Sequence, residues 1–416
     1  MRAKRLAGFV ISILALITLA GCRTKDTIPA QQVVTLAGWQ SNLSEQRLLK
    51  QLIQKFEEKY PHIKVKYEVI NSEYMSVIYT RLAGGTAPDV FYLEAFEAPR
   101  LMKEGALESL NAYVTTDFNI ADFEKRLLDA FRNDGEIYGI PKDFSTLALF
   151  YNKQAFKEAG ISQPPRNWEE LIRYSQKLTA DKNKDGKIDR YGFGVSPELA
   201  RQYFMIKACG GELTDQAGKA AFATPVGLKG LQFVIDQYRK DQSSAQPSDV
   251  GASWGAEMLG AGKAAMVIEG LWAIPNLKDT FPRLNYAVVE VPAVCGKKGT
   301  MAFTVAYAMN KDAKNKPAAW ELIAFLTGTE AMKISTSTGF ALPSRQSVMQ
   351  TFKQNPQYIP FTTGAGYATV WQGGERLSKI VTSFNNQFIS AMIGQQSLSE
   401  AMQKSQETAN KDCMTP

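Results

Sequence analysis

The chain has 416 residues, long for one hydrophobic core and comfortable for two. Its 45 % hydrophobic and 21 % charged content is that of a soluble globular protein. The formal charge of +7 falls to +4 without residues 1–21 (45 basic against 41 acidic groups), and no dense basic run is present, which argues against a nucleic-acid partner.

Residues 1–21 open with Arg2, Lys4 and Arg5, continue through an apolar run from Leu6 to Ala20 and end in small residues. That is the pattern of a secretory signal, and the run is short for a membrane span. It closes on Leu19-Ala20-Gly21-Cys22, which resembles a bacterial lipobox; Cys22 is then the expected lipidated N-terminus of the exported protein. Arg23 to Gln32 reads as a polar tether (residues 22–32 with the anchor). Val33–Ala37, Ile63–Ile70 and Ala87–Leu93 are predicted strands, with helices over 44–60 and 73–83 between them. This β-α-β-α order predicts a mostly parallel sheet, with ligands beyond the carboxyl ends of its strands. Trp39 and Glu94 fall at such ends. His62, the one histidine, sits in a turn after the first helix; it excludes a multi-histidine metal centre and suits a catalytic triad badly.

Tyr138–Asn152 reads either as a strand interrupted at Pro141, exposing Lys142–Thr146 and resuming at Thr146–Tyr151, or as an ordinary strand with a bulge. Downstream come helices over 168–179, 198–208 and 224–240, a strand at 191–195, a helix near 253–259, and a strand at 264–268. A strand at 285–291 follows, then a second interrupted apolar run at 300–309. Helices are expected over 316–326, 330–335, 375–393 and 397–411, with a turn at Leu342-Pro343-Ser344-Arg345. Cys209, Cys295 and Cys413 permit at most one intrachain disulfide among themselves, and the sequence does not choose it.

The Y-G-I-P link at Tyr138–Pro141, the Tyr151-Asn152-Lys153 strand end and the Ala159-Gly160-Ile161 helix end resemble the family 1 solute-binding proteins of ABC importers. So does Gly262-Lys263-Ala264-Ala265-Met266 followed by Glu269-Gly270-Leu271-Trp272. That maltose-binding-protein-like group has a two-lobed α/β fold (the type II-like periplasmic-binding-protein arrangement) whose discontinuous lobes are joined by crossover strands. The resemblance implies residues 33–142 and 304–345 in one lobe and 143–303 and 346–416 in the other. It also implies ligand capture between the lobes, permease transmembrane subunits as partners, and a monomer facing the periplasm or cell exterior.

Aromatic residues recur at strand ends and turns: Trp39, Phe144, Trp254, Trp272, Phe303 and Trp371. Sugars present apolar C–H faces and a rim of hydroxyls, so a sugar site needs flat apolar side chains and a few placed polar groups. Gln40, Ser41, Glu94, Asp143, Ser145, Glu269 and Arg345 are the candidates for the latter. In relatives the tryptophan of the Glu269–Trp272 motif often stacks on sugar, which implies that role for Trp272 and, more loosely, for Trp371.

Asp181, Asn183, Asp185 and Asp189, around Gly186, match the first half of a calcium loop, but its twelfth position is Gly192 where a glutamate belongs. Structural calcium and a solvated turn both remain open, and no cofactor is required. The chain has no phosphate loop, no G-x-S-x-G elbow and no C-x-x-C. An exported carbohydrate hydrolase with paired carboxylates is the rival class, and a binder of a non-sugar solute the third.

Overall fold

A computed structural model of the chain describes residues 31–40 and 43–412. The signal segment, Cys22, nearly all of the tether, Ser41 and Cys413 lie outside the described residues.

In chain order the strands are β1 (Gln32–Gly38), β2 (Ile63–Val69), β3 (Val90–Glu94), β4 (Arg132–Asn133), β5 (Glu136–Ile137) and β6 (Gly139–Asn152). They continue as β7 (Tyr191–Gly194), β8 (Ser244–Ala245), β9 (Ala264–Gly270), β10 (Tyr286–Val289), β11 (Met301–Met309) and β12 (Thr369–Val370). β4 and β5 form a small hairpin, and the others share one mixed sheet with the path β2-β1-β3-β11-β6-β9-β7-β8. Two parallel groups, β2-β1-β3 and β9-β7-β8, therefore flank the antiparallel pair β11 and β6.

Buried side chains follow the same division. Val34, Leu36, Phe56, Tyr307 and Ile323 belong to one cluster, and Phe91, Leu93, Leu101 and Ala306 to another beside it. Leu149, Trp168, Phe204, Leu231, Phe384 and Ala401 form a third cluster, and Phe150, Leu259, Val267 and Phe361 a fourth. β6 and β11 supply residues to both sides, so the molecule is a two-lobed α/β protein crossed by long strands.

Asp89 fixes the first lobe where its strands begin. Its carboxylate accepts from the Thr35 amide and hydroxyl at 2.8 and 2.7 Å, and from the Lys314 amide at 3.1 Å. In the second lobe Asn167 caps the helix Trp168–Leu178, accepting from the Glu170 amide at 2.8 Å, while Trp168 and Leu171 point into the core.

Of the two readings of this stretch the break at Pro141 does not hold: β6 runs unbroken through it. The Pro141 carbonyl accepts from the Ser344 hydroxyl. In a strand the nitrogen and carbonyl of one residue face the same side, so the proline nitrogen points away from β11 and no ladder bond is lost. The irregularity lies one residue on. Asp143 pairs with Val305 and Pro141 with Ala306, leaving Lys142 as the extra residue of a β-bulge. β11, also predicted as interrupted, is continuous. A third crossing runs through Leu342–Arg345, where Phe144 and Leu342 exchange backbone hydrogen bonds at 3.0 and 2.7 Å.

Candidate ligand cleft

Beside the bulge lies a cleft of about 350 Å³ between the lobes. Trp39 and Glu94 reach it from the ends of β1 and β3, and Glu45 from the first turn of the helix Leu43–Lys59. Phe144, Ser145, Trp272 and Phe303 face it from the other lobe's side, with Lys142 and Asp143 at the bulge. Arg201, Val305, Phe340 and Ala341 complete the lining.

Two glycines set the aromatic walls. A Cβ on Gly38 would lie 2.7 Å from the Tyr92 ring, so only glycine lets β1 pass this close before turning Trp39 outward. Trp39 is then held edge-on by Tyr74 and Tyr92, at centroid distances of 4.9 and 5.1 Å. A Cβ on Gly270 would lie 2.3 Å from the indole of Trp272. The glycine of the Glu-Gly-Leu-Trp motif thus lets the indole lie back over its own strand. Trp272 also meets Phe303 at 5.8 Å and 73°.

The polar groups differ in what they have left to offer. Ser145 accepts from the Leu271 amide at 2.8 Å and donates to the Thr146 carbonyl at 3.0 Å, so its hydroxyl serves the junction of β6 and β9. Asp143 forms an ion pair with Lys142. Burial alone would pull the Lys142 ammonium down, but the charges of Asp143 and Glu45 outweigh it and hold the group above its ordinary pKa. Glu94 is exposed to the cleft yet enclosed by its walls. That desolvation, aided by the charge of Glu97, pushes its pKa up to about 7.

Glu269 lies behind the lining, 1 % exposed, with Arg201 Nη2 at 3.2 Å from its Oε2. Burial raises its pKa, and the Arg201 charge opposes the rise. The Arg201 guanidinium stacks over Trp272 at 5.1 Å and Phe303 at 5.7 Å. Sequence reasoning missed Arg201, Lys142, Glu45 and Phe340.

Besides Glu269, four expected ligand residues are not among those lining the cleft. Gln40 follows Trp39, and its amide donates to Asn71 Oδ1 at 3.1 Å. Trp254 packs against the cluster of Ala256, Leu271 and Leu277. Trp371 is buried, stacked on Phe96 at 5.8 Å and 6°. Arg345 is spent inside the first lobe. Its Nε donates to the Thr327 carbonyl at 2.7 Å, its Nη2 to Phe118 at 3.0 Å, and its Nη1 pairs with Asp122 at 3.3 Å. Behind the crossovers is a second cavity of about 230 Å³, separated from the cleft by Phe144, which lines both.

The Asp181 loop is closed by its own amides. Asp181 accepts from Lys184, Asp185 and Gly186, Asp185 from Lys187, and Asp189 from Lys182 and Asn183. Among the described residues, no group of three or more His, Cys, Asp or Glu is arranged to hold a metal ion.

Residues 40–333 match the family of bacterial extracellular solute-binding proteins. The chain belongs to that family. A binding protein from Brucella abortus (strain 2308) is 27 % identical over 343 residues, covering 79 % of this chain and 81 % of its own. The arabinooligosaccharide-binding protein of Bacillus subtilis (strain 168) is 22 % identical over 387 residues, covering 89 % and 88 %. Among solved structures, an ABC substrate-binding protein from Listeria monocytogenes in complex with cycloalternan superposes with a TM-score of 0.84. Its identity is 22 %, and the match covers 92 % of this chain and 99 % of that one. This solute-binding protein therefore shares their two-lobed fold. No helix among its described residues is long and apolar enough to cross a membrane.

Proposed function

We propose that this solute-binding protein captures a sugar or sugar-like polyol between its lobes and delivers it to the permease of an ABC importer. The observation that carries this reading is the cleft itself. Trp39 stands on one side, Trp272 and Phe303 on the other, with carboxylates and a guanidinium between them. Flat apolar faces beside a few polar groups suit a polyhydroxylated ring. Relatives named for oligosaccharide binding support the same reading. The lobes are taken as 33–142 with 304–345 and 143–303 with 346–416, and the protein as a monomer.

A thermal-shift screen of mono-, di- and trisaccharides and small polyols tests this, because a ligand that binds only the folded state raises the melting temperature. At least one should raise it without being consumed; release of reducing ends would identify a hydrolase instead. Cys22 is proposed to carry the lipid anchor, on the strength of Leu19-Ala20-Gly21-Cys22. Cys22→Ser should then move the exported protein from the membrane to the soluble fraction.

A further inference from the structure

We infer that Arg201, held by Glu269, is a specificity-determining residue of the cleft, a cation neutralised in advance that bonds sugar hydroxyls and leaves sugar acids without a counter-ion. This deepens the sugar-binding reading and rests on it.

The charges around the cleft come from five elements. Glu45 stands on the first helix, Glu94 ends β3, Lys142 and Asp143 share the bulge of β6, Arg201 lies on the helix Leu199–Ala208, and Glu269 sits on β9 behind the wall. Both cations are matched. Lys142 has Asp143, and Arg201 has Glu269. Among the described residues lining or backing the cleft, acids outnumber bases, and an incoming carboxylate finds no cation there that is not already paired.

Stability does not account for the Arg201–Glu269 pair. Its atoms approach to 3.2 Å, yet neither Glu269 oxygen nor Arg201 Nη1 makes a well-aligned hydrogen bond. The Gly270 amide and the Trp272 side chain lie near enough to favour the carboxylate but not in line with it. A buried ion pair so incompletely bonded costs desolvation that its attraction repays poorly. The chain nevertheless keeps room for it: a Cβ on Gly255 would stand 2.6 Å from Glu269 Oε1. What the pair provides is position. The guanidinium is pinned from behind by Glu269 and flanked by the aromatic faces of Trp272 and Phe303, with part of its side chain open to the cleft. A planar donor fork beside a stacking surface suits adjacent hydroxyls on a ring.

The test is calorimetry on the full exported protein with one matched pair of probes. The first probe is the tightest-binding neutral sugar among arabinose, galactose, glucose, mannose and their di- and trisaccharides. The second is the same sugar with a terminal carbon oxidised to a carboxylate. The wild type should bind the carboxylate about a hundredfold or more weaker than the neutral sugar. Glu269→Gln should narrow that ratio by about tenfold or more, because Arg201 is then unmatched, and adding Arg201→Gln should restore it. A merely structural role would weaken both probes alike and leave the ratio unchanged, which overturns the inference. Equal binding of both probes by the wild type also overturns it, while leaving sugar binding intact. Arg201→Gln alone should cost about tenfold for the neutral probe, so the inference remains exposed if Glu269→Gln does not fold. Binding of neither probe would sink the sugar reading beneath it.

Discussion

Trp272 and Glu94 are the side chains on which ligand binding should turn most visibly. The indole lies over Gly270, against Phe303 and in the cleft. Truncating a central aromatic in a desolvated site commonly costs about 2 kcal/mol, roughly thirtyfold in affinity. Trp272→Ala should lose at least that much by calorimetry while its unfolding transition stays cooperative; a loss under about threefold would reassign Trp272 to the core. Glu94 adds a pH signature. Its folded pKa of about 7 lies above its ordinary 4.5, so folding favours the protonated form. Its contribution to stability is fully present below about pH 4.5 and is lost as pH rises through 7. Relative to Glu94→Gln, the wild type should therefore lose melting temperature between those limits. Hydroxyls donate best to the ionised form, so wild-type affinity should rise from pH 6 to pH 8 while that of Glu94→Gln stays flat. At this scale the sequence pointed to Trp39, Phe144, Trp272 and Phe303 of the lining, because an aromatic at a strand end is a local signal, but the same signal also marked Trp254 and Trp371, which pack elsewhere. It could not reveal Arg201, which lies on a helix buried over most of its surface and whose partner Glu269 is 68 residues away. It misplaced Arg345 because a charged residue in a polar turn reads as exposed, whereas four oxygen contacts hold its head inside the lobe.

Among the elements, the disulfide between Cys209 and Cys295 resolves a pairing that the sequence left open. Cys209 caps the helix that carries Arg201. Cys295 sits at the tip of a tight turn where Val294 and Lys297 exchange hydrogen bonds, with Cys295 at φ 51° and Gly296 at 74°. A cysteine in that left-handed conformation is strained, and the cross-link holds it there. The bridged residues are 86 apart, which in the chain-entropy limit corresponds to about 4–5 kcal/mol. Replacing both cysteines by serine should lower the melting temperature, with neutral-sugar affinity falling less than in Trp272→Ala; an unchanged melting temperature would refute the bridge's role. The long helices and most strands were legible from periodicity. The helix Ile359–Ala365 was not, since Pro360, Thr362, Thr363 and Gly364 are poor helix formers. It forms because Phe361 is fully buried and its carbonyl accepts from Thr146 Oγ1 at 3.0 Å, a tertiary bond that no local pattern contains.

Across the whole molecule, two lobes are linked through β6, β11 and Leu342–Arg345, and rotation about so few segments is a hinge. A ligand can favour the closed state only through contacts made to both lobes at once. Small-angle scattering should therefore show a smaller radius of gyration with the bound sugar than without it. An unchanged radius at saturation would leave a rigid cleft. The two-lobed plan was legible because the crossover link and the Gly-Lys-x-Ala-Met motif are contiguous in sequence. A bulge in this strand was one of two readings the sequence allowed, but its place at Lys142 was not legible, because it depends on register with a strand more than 150 residues away.

Three crossings are an odd number. A thread that passes an odd number of times between two bodies must finish on the one where it did not begin. Val34 accordingly packs in one lobe and Ala409 in the other. Gln31 and Lys411, both exposed, stand near these opposite ends. A donor dye at one and an acceptor at the other would sit on different bodies, so their energy transfer would report each opening and closing of single molecules with no label near the cleft.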